Sequence, residues 1–540
     1  MMPRVRSPEL PQNRIWLNTN HPLSLKDLKG RVVILDFWTY CCINCLHVLP
    51  DLKYLENKYK DSLTVIGVHS AKFDNEKEAE NIRQAVLRYD VEHPVLVDSN
   101  FHVWRQYAVR AWPTLMVIDP EGYVISSVSG EGNRDFLDRL IDQLIRQHQE
   151  KGTINSQELT LTLEKQRQPL ATPLAFPGKV LADGEGERLF IADSGHHRII
   201  VSTLAGEVQH VIGSGKPGLK DGSFWEVQFF APQGMALDSK NQLLYVADTE
   251  NHCLRVIDLK REQVKTIAGT GEQSHQIQPH SGSALETALN SPWDVEKVGN
   301  RLMIAMAGPH QIWEMQLDTN LIRTYAGTGR EVCLDGLLDE AAFAQPSGLT
   351  TDGRELYVAD SEVSSIRAVG LVDNLPVRTV CGSGDLFGFG DVDGEGADVR
   401  LQHCLGVEYT QNYLWVGDTY NHKIKRVDPR NGSCQTMLGD GTAGHQDGQA
   451  SKTRFSEPSG LSAIAAHLYI ADTNNHAIRC VALDTLEVTT LEFPGLCPPE
   501  VCLPTLTEKI GIQAPPFQGG FIHGILFDVG FSTSNESSGV

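Results

Sequence analysis

Phe37-Trp38-Thr39-Tyr40-Cys41-Cys42-Ile43-Asn44-Cys45 is the stretch on which the reading of this chain turns. An apolar run, Val32-Val33-Ile34-Leu35-Asp36, leads into it, and Leu46, Leu49, Leu52 and Leu55 follow at helical spacing. The pattern predicts a strand, a tight junction and a helix that begins at the cysteines. Cys42 and Cys45 then lie one turn apart, close enough to close a disulfide. The first sulfur falls at the helix start, where unpaired N–H groups and the helix dipole favour a thiolate. Redox chemistry on thiols, or a fold descended from it, is the implied chemistry.

Strand and helix signals alternate through the N-terminal third, as in an α/β domain. Strands are predicted at 31–37, 63–68, 94–97, 114–118 and 123–128, and helices at 44–59, 76–88, 101–107 and 134–149. Pro50 lies inside the first helix and should kink it. At 540 residues the chain exceeds one core, so further domains are expected. Its 47 basic and 68 acidic residues give a formal charge of −21. Such acidity disfavours nonspecific binding to nucleic acid or an anionic membrane, because both require neutralised phosphates. No apolar run approaches the ~20 residues that span a bilayer, and no apolar segment follows the basic N-terminus, so neither an anchor nor a secretory signal is expected. Eleven cysteines without such a signal predict reduced thiols and a cytoplasmic location.

The N-terminal residues resemble the thioredoxin-like superfamily over about residues 15–150. Asp36-Phe37-Trp38 is similar to that family's lead-in to the dithiol. The resemblance makes Cys42 the nucleophile, Cys45 the resolving cysteine and Asp36 the carboxylate that shuttles a proton to it. Trp112-Pro113-Thr114 is similar to the loop whose cis-proline faces the disulfide, which places Pro113 in the site, with Trp38 and Trp112 as accessories. The sequence Ser70 to His93 is a long insert of the kind found in peroxiredoxin and cytochrome-maturation branches. Read as chemistry, a strand-end Asp36 among Val, Ile and Phe should have a raised pKa, suited to a general acid or base; its structural alternative is hydrogen bonding to nearby backbone. Ile43-Asn44 replaces the usual Gly-Pro, and Cys41 stands where a tryptophan is usual. Cys41 reads either as a third exchange partner or as a small apolar residue beneath the loop. His47 reads as a surface helix residue, or as one that perturbs a thiolate. Zinc at Cys42 and Cys45 would need two further ligands, and no second Cys-x-x-Cys or His-x-x-x-His appears; Cys497 and Cys502 belong to a separate tail. No metal and no cofactor are expected.

Residues 170–493 repeat at about 54–58 residues. The unit is aromatic-Val/Ile-Ala-Asp, as in Phe190 to Asp193, Tyr245 to Asp248, Tyr357 to Asp360 and Tyr469 to Asp472, with Trp415 to Asp418 and Met303 to Met306 as variants. Asn251-His252, Asn421-His422 and Asn475-His476 follow, and then Arg198, Arg255, Arg367, Lys425 and Arg479. Pro-x-Gly leads several units and Gly-x-Gly trails them. Short strands between turns at this period describe four-stranded blades around an axis, and the copies resemble NHL repeats. The Asp, Asn-His and Arg positions read as turn-capping scaffold, because every blade needs them; Met306 and Val363-Ser364 break the pattern, and the sequence does not say to what end. Residues 151–169 are expected to be a linker or a closing strand: the alternating segment at 158–163, or one near 174–180, should complete the blade at 468–491. A Pro/Gly/Ser-rich tail, partly disordered, is expected at 494–540.

The domain order resembles the NHL repeat-containing protein 2 family. The fold expected is therefore multidomain: an α/β thioredoxin-like N-terminal domain followed by an all-β six-bladed NHL β-propeller. Two functions are expected. One is a thiol-disulfide oxidoreductase whose propeller recruits a protein partner or disulfide substrate. The other is a non-enzymatic protein-interaction scaffold with a vestigial thioredoxin-like domain. RNA binding through a basic propeller face is a third reading, and the net acidity counts against it.

Overall fold

The computed structural model of the chain describes residues 5–155, 159–277, 280–372 and 375–499. The N-terminal domain is a seven-stranded sheet flanked by helices. Its strands are β1 (Val5–Arg6), β2 (Trp16–Leu17), β3 (Val32–Trp38), β4 (Leu63–His69), β5 (Val95–Val97), β6 (Thr114–Ile118) and β7 (Tyr123–Ser129), in the order β1-β7-β6-β3-β4-β5-β2. β3 runs parallel to β4 and β4 parallel to β5, while β6 is antiparallel to β3. β3 and β4 are buried along their whole length, which is why they read as continuous apolar runs rather than alternating ones. Helix α1 (Ile43–Tyr59) and the domain's last helix, Arg134–Glu150, bury Val48, Leu52, Leu55, Leu137 and Ile141 against one face of the sheet. Pro50 lies inside α1. The single helix expected at 76–88 is instead a 3₁₀ turn, Asn75–Lys77, followed by α2 (Ala79–Arg88). β1 and β2 were not anticipated: two-residue strands are too short to show periodicity.

Six antiparallel blades follow. The first runs from Lys179–Asp183 to Val208–Ile212 and the sixth from Pro458–Ile464 to Glu487–Thr490. The ring does not close by strand exchange. Residues 159–163 make no strand, Glu164–Arg167 form a helical turn, and Lys179–Asp183 pairs within the first blade. The sixth blade takes all its strands from its own end of the chain. Closure is by side-by-side contact instead: the Gly460 N–H donates to the Gly178 carbonyl at 3.1 Å, and Ser459 Oγ donates to the same oxygen at 2.7 Å. The expected strand at 158–163 falls partly outside the described residues, as does most of the tail. Among the described residues nine cysteines carry free thiols and Cys497 is disulfide-bonded, so the expectation of thiols reduced throughout does not hold at that position.

The repeated polar residues hold each blade's turns. In the second blade Arg255 lies between Asp248 (2.7 Å) and Asp221 (2.8 Å), and Asn251 donates to Asp248 at 2.8 Å. The fourth and sixth blades repeat this with Arg367 and Arg479, and the fifth with Lys425. The histidine after each turn accepts, at Nδ1, a backbone N–H from the next blade: His252 from Ser291, His310 from Gln345, His422 from Glu457 and His476 from Phe176. Ser364 does the same for His403 with its hydroxyl, which explains the missing histidine there. In the third blade Met306 replaces the turn aspartate and Trp313 stands where the basic residue would be; both are buried in one cluster. His280 stacks on Trp313, its ring centroid 6.0 Å away. An apolar and aromatic set has replaced the charged set as a unit.

Candidate functional site

β3 ends at Trp38, and the loop Thr39-Tyr40-Cys41 delivers Cys42 to the N-cap of α1. Cys45 lies one turn on, with its N–H on the Cys42 carbonyl at 3.0 Å. Trp38, Cys41, Cys42, Cys45 and Trp112 share one cluster. Cys42 is partly exposed, whereas Cys41 and Cys45 are buried. Burial, then hydrogen bonding and charge interaction with Cys42, push the Cys45 thiol well above the usual range. Burial does the same at Cys41, aided by Glu362 and Glu76. Trp112–Pro113 is cis, and Thr114 pairs with Phe37, so Pro113 lies level with the end of β3. Trp112 Nε1 donates to the Ser70 carbonyl at 3.0 Å.

Asp36 lies on β3 beneath the dithiol, fully buried, and neither carboxylate oxygen has a hydrogen-bond partner. Burial raises its pKa to about 7, against a lowering by His93, with Glu56 adding to the rise. Asp36 is in turn one of the groups that raise Cys45. The alternative reading, an aspartate hydrogen-bonded to local backbone, is not what is seen. No described side chains add a third metal ligand at the dithiol; among the described residues the three-ligand group is Asp119, Glu121 and His148, elsewhere in the domain.

The dithiol face is docked on the propeller. Gln345, just before the innermost strand of the fourth blade, donates its Nε2 to the Cys41 carbonyl and accepts the Ile43 N–H at Oε1, both at 2.9 Å. One side chain thus straddles Cys42 and occupies an amide at the helix start. On the other side the Cys41 N–H donates to Glu76 at 2.9 Å, a buried carboxyl that also accepts the Lys72 and Phe73 amides and whose pKa burial raises to about 7. Glu457 of the sixth blade accepts from Tyr40 (3.1 Å), Asn75 (3.0 Å) and Arg88 (2.6 Å). Lys72 forms a buried ion pair with Glu362. Phe73 packs on Phe389, His403 and Tyr420, and Ile43 and Leu46 on Trp293 and Ala307.

His47 departs from expectation. It is buried, with Nε2 2.7 Å from Ser291 Oγ and Nδ1 against Glu131. The α1 face that carries it looks outward from its own domain, but the propeller covers it. Gln345, Glu457 and Glu76 were not identified from the sequence, because nothing local distinguishes them. One signal was available: Gln345 and Glu457 each precede the recurrent Pro-x-Gly, at a position that varies from blade to blade while its surroundings repeat.

A thioredoxin-like family model matches residues 30–124, and an NHL repeat model matches residues 231–257. The chain is 48 % identical over 511 residues to Protein SUPPRESSOR OF QUENCHING 1, chloroplastic, of Arabidopsis thaliana, covering 91 % of this chain and 48 % of that protein. It is 43 % identical over 519 residues to NHL repeat-containing protein 2 of Homo sapiens, covering 90 % of this chain and 71 % of that protein. The thiol-disulfide oxidoreductase ResA of Bacillus cereus is 30 % identical over 122 residues, 23 % of this chain and 68 % of that one. The chain therefore spans about half the length of the plant relative. No helix among the described residues is long and apolar enough to cross a membrane.

Proposed function

The chain belongs to the NHL repeat-containing protein 2 family, and from that premise we propose that it is a thiol-disulfide oxidoreductase whose propeller controls which disulfides reach its dithiol. Cys42 attacks the substrate disulfide, Cys45 resolves the mixed disulfide, and Asp36 takes the proton from Cys45. Pro113 shapes the groove in which the substrate chain lies. The observation that carries this reading is the pairing of a partly exposed Cys42 at a helix start with a buried Cys45 above a buried, unpartnered carboxylate. A dithiol kept only for packing has no use for such a carboxylate, which costs stability where it sits. The relative named a thiol-disulfide oxidoreductase supports the same chemistry. We place the reaction in the cytoplasm, where the nine free thiols among the described residues stay reduced. The partner recruited by the propeller is a disulfide-bearing protein or peptide.

Cys45→Ser in the full chain should accumulate a substrate bound covalently to Cys42, released by reductant and absent from Cys42→Ser/Cys45→Ser. Capture that is equal in both variants, together with insulin reduction unaffected by Cys42→Ser, would end the enzymatic reading.

The second reading is an interaction scaffold. It is favoured by Gln345 of the propeller, which takes up the Cys41 carbonyl and the Ile43 N–H of the dithiol loop and so docks the two domains. On that reading Cys42→Ser leaves partner binding intact, and deletion of the propeller abolishes it.

A further inference from the structure

A proton given to Asp36 must leave before the next turnover, and Asp36 itself is fully buried with neither oxygen hydrogen-bonded. Its register partner on β4 is Gly67. A Cβ on Gly67 would come within 2.9 Å of Trp38 Nε1 and 3.3 Å of His93 Nε2. The absent side chain is what admits the His93 ring beside Asp36. Neither Trp38 Nε1 nor His93 Nε2 has a partner, and the His93 side chain is only 4 % exposed. On its far side His93 Nδ1 lies 3.4 Å from Glu56 Oε2 on α1, and the Glu56 side chain is 29 % exposed. When the ring is neutral, that contact holds its proton on Nδ1 and leaves Nε2 as an acceptor facing inward. Asp36, His93 and Glu56 therefore form a line from the floor of the dithiol to solvent.

The other neighbours offer no exit. Leu115, opposite Asp36 on β6, does not titrate. His69, at the end of β4 and edge-on to Trp38, is buried with both nitrogens unpartnered, and burial lowers its pKa to about 3. Cys45 is the donor itself. The charged groups acting on His93 are Glu56, Asp36 and Glu92.

We propose that His93 and Glu56 are the proton outlet of the dithiol, carrying to solvent the proton that Asp36 receives from Cys45. This rests on the oxidoreductase reading above. In resolution the Cys45 S–H bond breaks and its sulfur attacks Cys42 Sγ of the mixed disulfide. The Cys42–Cys45 bond forms, and the substrate sulfur leaves with the electron pair of its broken bond to Cys42. The dithiol is oxidised, the substrate disulfide is reduced, and an external thiol reductant resets the pair. The proton passes from Cys45 to Asp36, then through one water to His93 Nε2, while the Nδ1 proton moves to Glu56 and out. His93 and Glu56 are positioning residues, because they act through Asp36.

The test uses the reduced full chain and 5,5′-dithiobis(2-nitrobenzoate), followed by stopped-flow absorbance. Attack by Cys42 releases one nitrothiolate and attack by Cys45 a second; Cys42→Ser supplies the baseline from the other thiols. His93→Gln should leave the first phase within twofold and slow the second about tenfold, at the low end for a positioned acid or base. The pH midpoint of the second phase should also move upward, because His93 lowers the Asp36 carboxyl pKa whenever its ring carries the relayed proton. Glu56→Gln, at a half-exposed position with little folding risk, should slow the same phase, and the double variant should be no slower than His93→Gln alone. A second phase with wild-type rate and pH profile in both single variants overturns the outlet. A wild-type chain with no second phase dependent on Cys42 overturns the oxidoreductase reading, and the outlet with it.

Discussion

Asp36 shows how one side chain couples stability to chemistry. Burial moves its pKa from the ordinary 3.8 to about 7. The folded chain therefore binds a proton that the unfolded chain has lost between those values, and stability falls as pH rises from about 4 to about 7. The whole displacement corresponds to at most about 4 kcal/mol. Asp36→Asn, which cannot ionise, should therefore be more stable than wild type at pH 8 by up to that amount. At pH 5, where Asp36 is protonated in the folded chain, the gain should shrink by roughly half or more. Urea unfolding at the two pH values decides it, and an equal gain at both would mean that Asp36 does not titrate near 7. The burial of Asp36 was legible because it follows from its own strand: six apolar residues around one aspartate leave it nowhere else to go. Its free oxygens were not, since whether a buried carboxylate finds a partner depends on Gly67 and His93, about thirty and sixty residues away in the chain.

The blade is the element that repeats, and its exceptions are more telling than its rule. An arginine between two aspartates, fully buried, is an expensive arrangement that succeeds only when every member is present. Removing one partner strands a charge, whereas replacing the set with packed apolar groups is tolerated. The third blade took the second course with Met306, Trp313 and His280. Met306→Asp alone should cost about 3–5 kcal/mol, because the new carboxylate is buried without a cation. Adding Trp313→Arg should recover about 1–3 kcal/mol of that. A double-mutant cycle by chemical denaturation reads the coupling, and additivity would show that the two positions are not the equivalents of Asp248 and Arg255. Six blades could be counted from the sequence because aromatic-Val/Ile-Ala-Asp is local and recurs. Ring closure could not, because alternation at 158–163 marks extended chain without saying which edge it meets; the edges of the first and sixth blades satisfy each other directly.

At the scale of the molecule, the dithiol face of one domain is the docking face of the other. None of this was visible in the sequence: His47, Tyr40 and Arg88 find their partners more than two hundred residues away, on loops whose repeats look alike. Glu457 is the keystone, accepting from Tyr40, Asn75 and Arg88 at once. Glu457→Ala would leave the largely covered Arg88 with Asn474 and the aromatic face of Phe176 but no counter-charge. Stranding a buried ion in this way costs on the order of 3 kcal/mol, and in this position the chain can relieve the cost by undocking. A loss of that size multiplies the undocked population about a hundredfold. The Cys42 peptide should then be alkylated by a polymer-bearing maleimide at least tenfold faster than in wild type, while iodoacetamide, small enough for the closed cleft, should show a smaller change. Limited proteolysis between the domains should rise in parallel, with blade stability unchanged. If Glu457→Ala leaves the bulky reagent as slow as before, the propeller does not gate the dithiol, and selection among disulfides must reside in the groove beside Pro113.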